Sequence, residues 1–143
     1  MGAVANFIDP RINEERIEQC VQNANSKMII CVDNFIDKFK NVAEKLNIEK
    51  KVSVSPSYYL PPLLKILYKL KVKSPKNTGF ESWKEFLSHG KGKIVNVEYN
   101  ATGQEIAAME YTSGTTGIPQ GAVLSNNSIH SVAFQQKSVL PEM

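Results

Sequence analysis

The feature that most limits the fold of this chain is the alternation of apolar patterns over its first 55 residues. Residues 3–7 (Ala-Val-Ala-Asn-Phe) read as a short buried strand, broken by Asp9-Pro10. Ile17, Cys20, Val21 and Ala24 then recur at the i, i+3, i+4, i+7 spacing of a helix with one buried face. Glu14 and Glu15 stand in its first turn, where the helix dipole favours negative charge. Residues 27–32 (Lys-Met-Ile-Ile-Cys-Val) form a continuous apolar run, which suits a strand buried on both faces. Asp33 is placed to cap the next helix, whose Phe35, Ile36, Phe39, Val42, Ala43 and Leu46 make a wide apolar stripe. Residues 51–55 alternate as a third strand. Strand, helix, strand, helix, strand is the order of a parallel sheet with crossover helices, so the expected class is α/β.

The chain divides on composition into three parts. Residues 1–56 hold the alternating unit, 57–104 a basic apolar segment with loops, and 105–143 a strand, a loop, a strand and a helix. In the middle part, Pro61-Pro62 can open a helix carrying Leu63, Leu64, Leu67 and Tyr68. Ser82-x-x-Glu85 is a capping box ahead of Trp83, Phe86 and Leu87. In the last part, residues 105–112 read as a strand, 121–124 as another, and Ser125 as the cap of a closing helix.

Between those two strands lies Thr112-Ser-Gly-Thr-Thr-Gly-Ile-Pro-Gln-Gly121. Glycine lets the main chain approach a ligand and opens backbone angles closed to other residues. Successive N–H groups can then converge on an anion, and Ser and Thr hydroxyls add uncharged donors. Such a loop suits polyphosphate oxygens. It is not a Walker loop, which needs Gly-Lys-Ser/Thr opening a helix, because Gly121 is followed by Ala122.

The run from Tyr111 to Gly121 resembles the signature loop of the adenylate-forming superfamily, which holds acyl-CoA synthetases, nonribosomal-peptide adenylation domains and luciferases. Glu105-Ile-Ala-Ala resembles its lead-in, and Val123-Leu-Ser125 the strand and cap that follow. Gly2-Ala-Val, Asp9-Pro10-Arg11 and Glu14-Glu15 resemble the earlier strand-Pro-helix unit, so the likeness spans nearly the whole chain. The resemblance implies a slice of the large N-terminal domain of an acyl-CoA synthetase-like ligase. That enzyme would join a carboxylate, expected to be a fatty acid, to ATP with Mg²⁺ and pass the acyl group to CoA or another thiol. Thr112, Ser113, Gly114, Thr115, Thr116 and Gly117 match the phosphate-binding motif one by one, and Gln120 belongs to the same loop. An amino-acid-activating adenylation domain and a non-catalytic nucleotide-binding or interaction module are the alternatives.

Two positions depart from the pattern. Gln120 stands where the family usually has lysine, and Glu110 where it has a small or apolar residue. Both make the loop less positive, so weaker ATP binding is expected. The family's aromatic-Gly-x-Thr-Glu motif, ribose-binding Asp, hinge and catalytic Lys have no match in these residues. No catalytic or metal-ligating residue is therefore assigned, and the fragment alone is expected to be inactive and to fold poorly.

Net charge is +3, but residues 50 to 80 hold seven lysines and no acid. Within that stretch, residues 58–73 mix aromatic, aliphatic and lysine residues. They read either as a membrane-surface helix or as a core-facing helix with its lysines reaching to water. Nucleic acid is not an expected partner, since no recognised fold or base-stacking platform accompanies the charge. His89 and His130 lack metal-ligand neighbours at useful spacing, and Cys20 and Cys31 read as small core residues. The N-terminus shows no basic region before an apolar one, so a cytoplasmic setting is expected, with a peripheral membrane contact only under the membrane-surface reading of residues 58–73.

Overall fold

A computed structural model describes residues 2–71, 78–94, 102–112 and 119–139. They divide into two compact units, one of residues 10–94 and one joining residues 1–9 to 95–143.

The 10–94 unit is built on strand β2 (Met28–Val32), β3 (Lys50–Val54) and the short β4 (Glu81–Ser82). All three run parallel in the order β2-β3-β4. Helix α1 (Glu14–Asn23) packs beside α2 (Ile36–Lys45), and α2 packs on β2. Their stripes meet as the spacing requires: Ile17, Cys20, Val21, Ile36, Phe39, Val42 and Ala43 are buried. Lys38 Nζ donates to the carbonyls of Pro10 (3.0 Å) and Ile12 (2.9 Å), which ties the segment before α1 to α2.

Both helices stop for the same local reason. After α1, Asn25 takes φ 48° while Ser26 N–H donates to Val21 C=O; after α2, Asn47 takes φ 53° while Ile48 N–H donates to Ala43 C=O. This is the Schellman ending, in which a left-handed residue lets the chain satisfy the last carbonyls. Asparagine tolerates that conformation better than other side-chain-bearing residues.

Three expectations change. Asp33 is not the N-cap of α2. It sits in a single 3-10 turn (Asp33–Phe35), Phe35 holds the N-cap, and the Asp33 carboxylate accepts from Tyr68 Oη at 3.0 Å. Nor is β2 buried on both faces: Ile29 and Cys31 are buried, but Met28, Ile30 and Val32 are exposed. A run of apolar residues lacks the alternation that would mark an open face. The strand at the start of the chain, β1 (Ala5–Phe7), leaves the parallel set and is itself exposed, with Phe7 58% accessible.

Two further helices complete this unit. Helix α3 (Pro62–Lys71) follows a 3-10 turn at Pro56–Tyr59, and α4 (Trp83–Ser88) packs against β3 and β4. The capping box of α4 is present on both sides: Glu85 N–H donates to Ser82 Oγ (3.3 Å), and Ser82 N–H donates to Glu85 Oε2 (3.0 Å).

In the other unit β1 pairs parallel with β5 (Ile106–Thr112), and β5 pairs antiparallel with β6 (Gln120–Ser125). Helix α5 (Asn126–Val139) follows directly, with Ser125 Oγ accepting from Ser128 N–H at 3.2 Å as its cap. Ala108 is the one buried hydrophobic side chain of this unit among the described residues.

Candidate functional site

The polar loop is carried by the β5–β6 hairpin. The ladder runs from Ile106 opposite Ser125 to Thr112 opposite Gln120, with one irregularity between Ile106 and Ala108. Alternation puts Glu110, Thr112 and Gln120 on one face, and Met109, Tyr111 and Gly121 on the other. Gly121 leaves room for its neighbours there: an added Cβ would lie 2.9 Å from Met109 Sδ and 3.3 Å from the Tyr111 ring, so the Met109 side chain would have to shift. The Tyr111 hydroxyl donates to Met109 Sδ at 3.4 Å, so the two side chains close over the glycine as a pair.

Thr112 and Gln120 are the last paired residues, and Thr112 Oγ1 donates to the Gln120 carbonyl at 3.5 Å. The structure thus brings these two candidates together at the mouth of the loop, both exposed. Ser113, Gly114, Thr115, Thr116 and Gly117 lie outside the described residues. Glu110 is exposed on the same face as Thr112, one strand repeat (about 7 Å) away. Its charge faces the same side as the loop mouth.

The far end of the hairpin is held by a turn that sequence reading passed over. Glu105 accepts from the backbone N–H of Thr102 (2.7 Å), the Thr102 hydroxyl (2.8 Å) and Gly103 N–H (2.9 Å). These bonds, the Thr102 backbone bond foremost, pull the Glu105 carboxyl down to about 2. The turn's carbonyls then receive the first amides of α5: Asn126 N–H donates to Glu105 C=O and Asn127 N–H to Gly103 C=O. With Ser125 serving Ser128, three helix-end donors that would otherwise lack partners are satisfied. Gly103 makes the approach possible, with φ +86° and no room for a Cβ beside Asn127 Oδ1. The signal was present as Thr102-x-x-Glu105, the spacing of a capping box, here closing a turn instead of a helix.

A second concavity, of about 540 Å³, lies within the 10–94 unit. Its polar lining comes from the carboxyl ends of the parallel strands: Asp33 after β2, Ser55 and Ser57 after β3, and Ser82 in β4. Lys65 and Glu85 add one charge of each sign. Open parallel sheets bind ligands at this end, because helix N-termini and strand-end loops converge there. The Ser55 and Ser57 hydroxyls are 2.8 Å apart. Tyr68 has its hydroxyl pushed above the ordinary tyrosine range, by burial first and then by its bond to the Asp33 carboxylate. Sequence reading missed this cavity, although Ser53-x-Ser55-x-Ser57 at a strand end was a visible sign of it.

The remaining candidates have structural partners. Cys20 and Cys31 are buried and not joined in a disulfide; burial, then the nearby Asp33 charge, pushes the Cys31 thiol up to about 12. His89 Nε2 sits 3.1 Å from Glu81 Oε1. Among the described residues no group of three His, Cys, Asp or Glu side chains could hold a metal, and no helix is long and apolar enough to cross a membrane.

Comparison with known proteins agrees with the loop. The family model for AMP-binding enzymes matches residues 1–142. The chain is 25% identical over 136 residues to 4-coumarate–CoA ligase 3 of Arabidopsis thaliana, covering 95% of this chain and 20% of that protein. It is 27% identical over 146 residues to a long-chain-fatty-acid–CoA ligase of Haemophilus influenzae, covering 95% of this chain and 25% of the relative. The chain therefore spans a quarter or less of these relatives' own lengths. Among solved structures, the fold resembles the luciferase-like enzyme of the Zophobas morio mealworm, at TM-score 0.59 and 13% identity over 91% of this chain and 26% of that one. It also resembles the adenylation domain of a Mycobacterium chelonae carboxylate reductase, at TM-score 0.60 and 12% identity over 88% of this chain and 20% of that one.

Proposed function

We infer function from one premise: the chain belongs to the AMP-binding enzyme family. We propose that the protein containing it activates a carboxylic acid with ATP. A carboxylate oxygen attacks the α-phosphorus, the bond from that phosphorus to the bridging oxygen breaks, and pyrophosphate leaves with the electron pair. The acyl-adenylate then passes its acyl group to the sulfur of CoA or another thiol, releasing AMP. A fatty acid is the proposed substrate class, in line with the Haemophilus influenzae relative, a long-chain-fatty-acid–CoA ligase.

One observation carries the reading: the string from Thr112 to Gly121 spans the open end of a paired hairpin, with Thr112 and Gln120 held opposite each other. We propose that Thr112, Ser113, Gly114, Thr115, Thr116, Gly117 and Gln120 hold the β- and γ-phosphates. Thr112 and Gln120 are held by the ladder, and donors placed in advance need little reorganisation as charge develops on the leaving pyrophosphate, which is the source of their catalytic value. The uncharged donors of Thr112 and Gln120 fit phosphate oxygens. Mg²⁺ would supply charge neutralisation on those oxygens, since this loop brings no cation of its own. The 143 residues alone are proposed not to turn over, and a peripheral membrane contact through residues 58–73 is proposed for the enzyme.

Carboxylate-dependent exchange of labelled pyrophosphate into ATP by the full-length enzyme tests this, across fatty, aromatic and amino acids. Exchange with fatty acids is expected; none with any carboxylate would sink the proposal. In the same protein Gln120→Lys is expected to tighten ATP binding by roughly tenfold, the value of about one charge-assisted hydrogen bond. Unchanged affinity would remove Gln120 from the phosphate site.

A further inference from the structure

We propose that the outward face of α3 is a docking surface for an anionic lipid bilayer. It gives the peripheral contact proposed for residues 58–73 a definite face and a definite lipid chemistry, and rests on that contact.

Leu63, Ile66, Leu67 and Leu70 fall at i, i+3, i+4 and i+7, one stripe along the helix. In a helix packed on its own domain, this stripe would face inward. Here it faces out: the four residues are 72%, 59%, 55% and 75% accessible. The opposite side makes the contact with the domain. Tyr68 is half-buried and donates to Asp33, and Lys65 is half-buried and lines the cavity described above. The helix is thus amphipathic in the reversed sense, with its polar anchors toward the protein and its aliphatic stripe toward solvent.

Charge selects the occupant. Positions 69 and 71, on either side of Leu70 and each about 100° around the helix from it, are lysines by sequence. Residues 50 to 80 contain no acid to oppose them. An apolar stripe in a segment that carries lysines at 69 and 71 and no acid suits a bilayer interface, where acyl chains would receive the stripe and anionic headgroups the positive charge. Tyr58 and Tyr59 precede the helix, packed edge to face with ring centres 4.9 Å apart, and Tyr59 is 76% accessible. Aromatic rings with a polar tip favour the headgroup level of a membrane. The exposed length, about 15 Å of helix, lies on the surface and does not span it.

Sedimentation of the full-length enzyme with phosphatidylcholine vesicles, with and without phosphatidylglycerol, tests this. Binding is expected to need the anionic lipid and to weaken in high salt. Leu63→Ser with Leu70→Ser is expected to weaken it at least tenfold, with the lipid-free melting temperature unchanged. Lys69→Gln with Lys71→Gln is expected to remove the preference for phosphatidylglycerol while leaving lipid-free pyrophosphate exchange intact. Wild-type protein that stays in the supernatant overturns the proposal. So does a serine variant that sediments like wild type, or one whose melting temperature falls with its binding, which would mean that the enzyme's own remaining residues cover the stripe. Wild-type protein that sediments but shows no exchange would sink the proposed activity and leave the surface standing.

Discussion

The two units of this chain hold themselves together by different means. The 10–94 unit has a packed interior: Ile17, Cys20, Val42 and Val52 are almost fully buried between helices and sheet. The unit joining 1–9 to 95–143 buries Ala108 alone among its described hydrophobic residues, and leaves Phe7, Ile106, Val123 and Phe134 exposed. Its order comes from hydrogen bonds: the β5–β6 ladder, the Glu105 turn and the Ser125 cap. Yet this second unit carries the loop that defines the family. Hydrophobic burial is the larger stabilising term in most folds. Among the described residues, the unit with the candidate loop is therefore the one that depends more on hydrogen-bond geometry than on burial.

The sharpest way to break this comparison is to delete buried bulk in each unit. Ile17→Ala is expected to cost about 2–5 kcal/mol, because it removes a fully buried side chain and leaves a cavity. Val123→Ala, at a residue 51% exposed, is expected to cost less than about 0.5 kcal/mol. Denaturant unfolding of the full-length protein compares them; equal losses would show that both units rest on burial. Next in size is Gly103→Ala, expected to cost about 1–3 kcal/mol from its left-handed backbone and its collision with Asn127. Faster hydrogen exchange at the Asn126 and Asn127 amides would register it, and unaltered exchange would discount the turn.

A smaller effect, expected at about 1 kcal/mol, is that of Asn47→Ala, which puts a residue poorly suited to φ 53° at the end of α2. A shift in midpoint of that order sharpens the contrast, since this loss is local to a helix end while the core stays intact. The mildest test is pH. The Glu105 carboxyl is held at about 2, below its ordinary value of 4.5. A lowered folded-state value adds stability that is fully present above the ordinary value and is lost as pH falls through about 2. Protection of the Thr102 and Gly103 amides, taken against the free-peptide exchange rate at each pH, should therefore hold at neutral pH and fall between roughly pH 4.5 and 2. Glu105→Gln should remove that dependence.

Local patterns in the residues announced much of this. Helical spacing located α1 and α2, the capping box located the start of α4, and the apolar flanks of the loop located β5 and β6 to within a residue or two. Thr112 and Gln120 were legible as candidate site residues, and the structure adds that they face each other. The strand-end cavity was not legible, because Asp33, Ser57 and Ser82 are distant in sequence and meet only when β2, β3 and β4 align. Asp33 misled for a related reason. Its position before a helix suggested a cap, but a tyrosine 35 residues away takes its carboxylate.

By itself, then, the sequence determined most of the helix and strand segments, the family likeness of the loop, where α1 and α2 stop and where α4 starts. Those outcomes rest on interactions within a few residues along the chain. Only the tertiary structure decided which strands pair, that β1 joins β5 and not β2, that one face of β2 stays open, and that the apolar stripe of α3 points outward. Periodicity reports that a face is apolar, but not what covers it, because burial depends on partners that the local pattern does not contain.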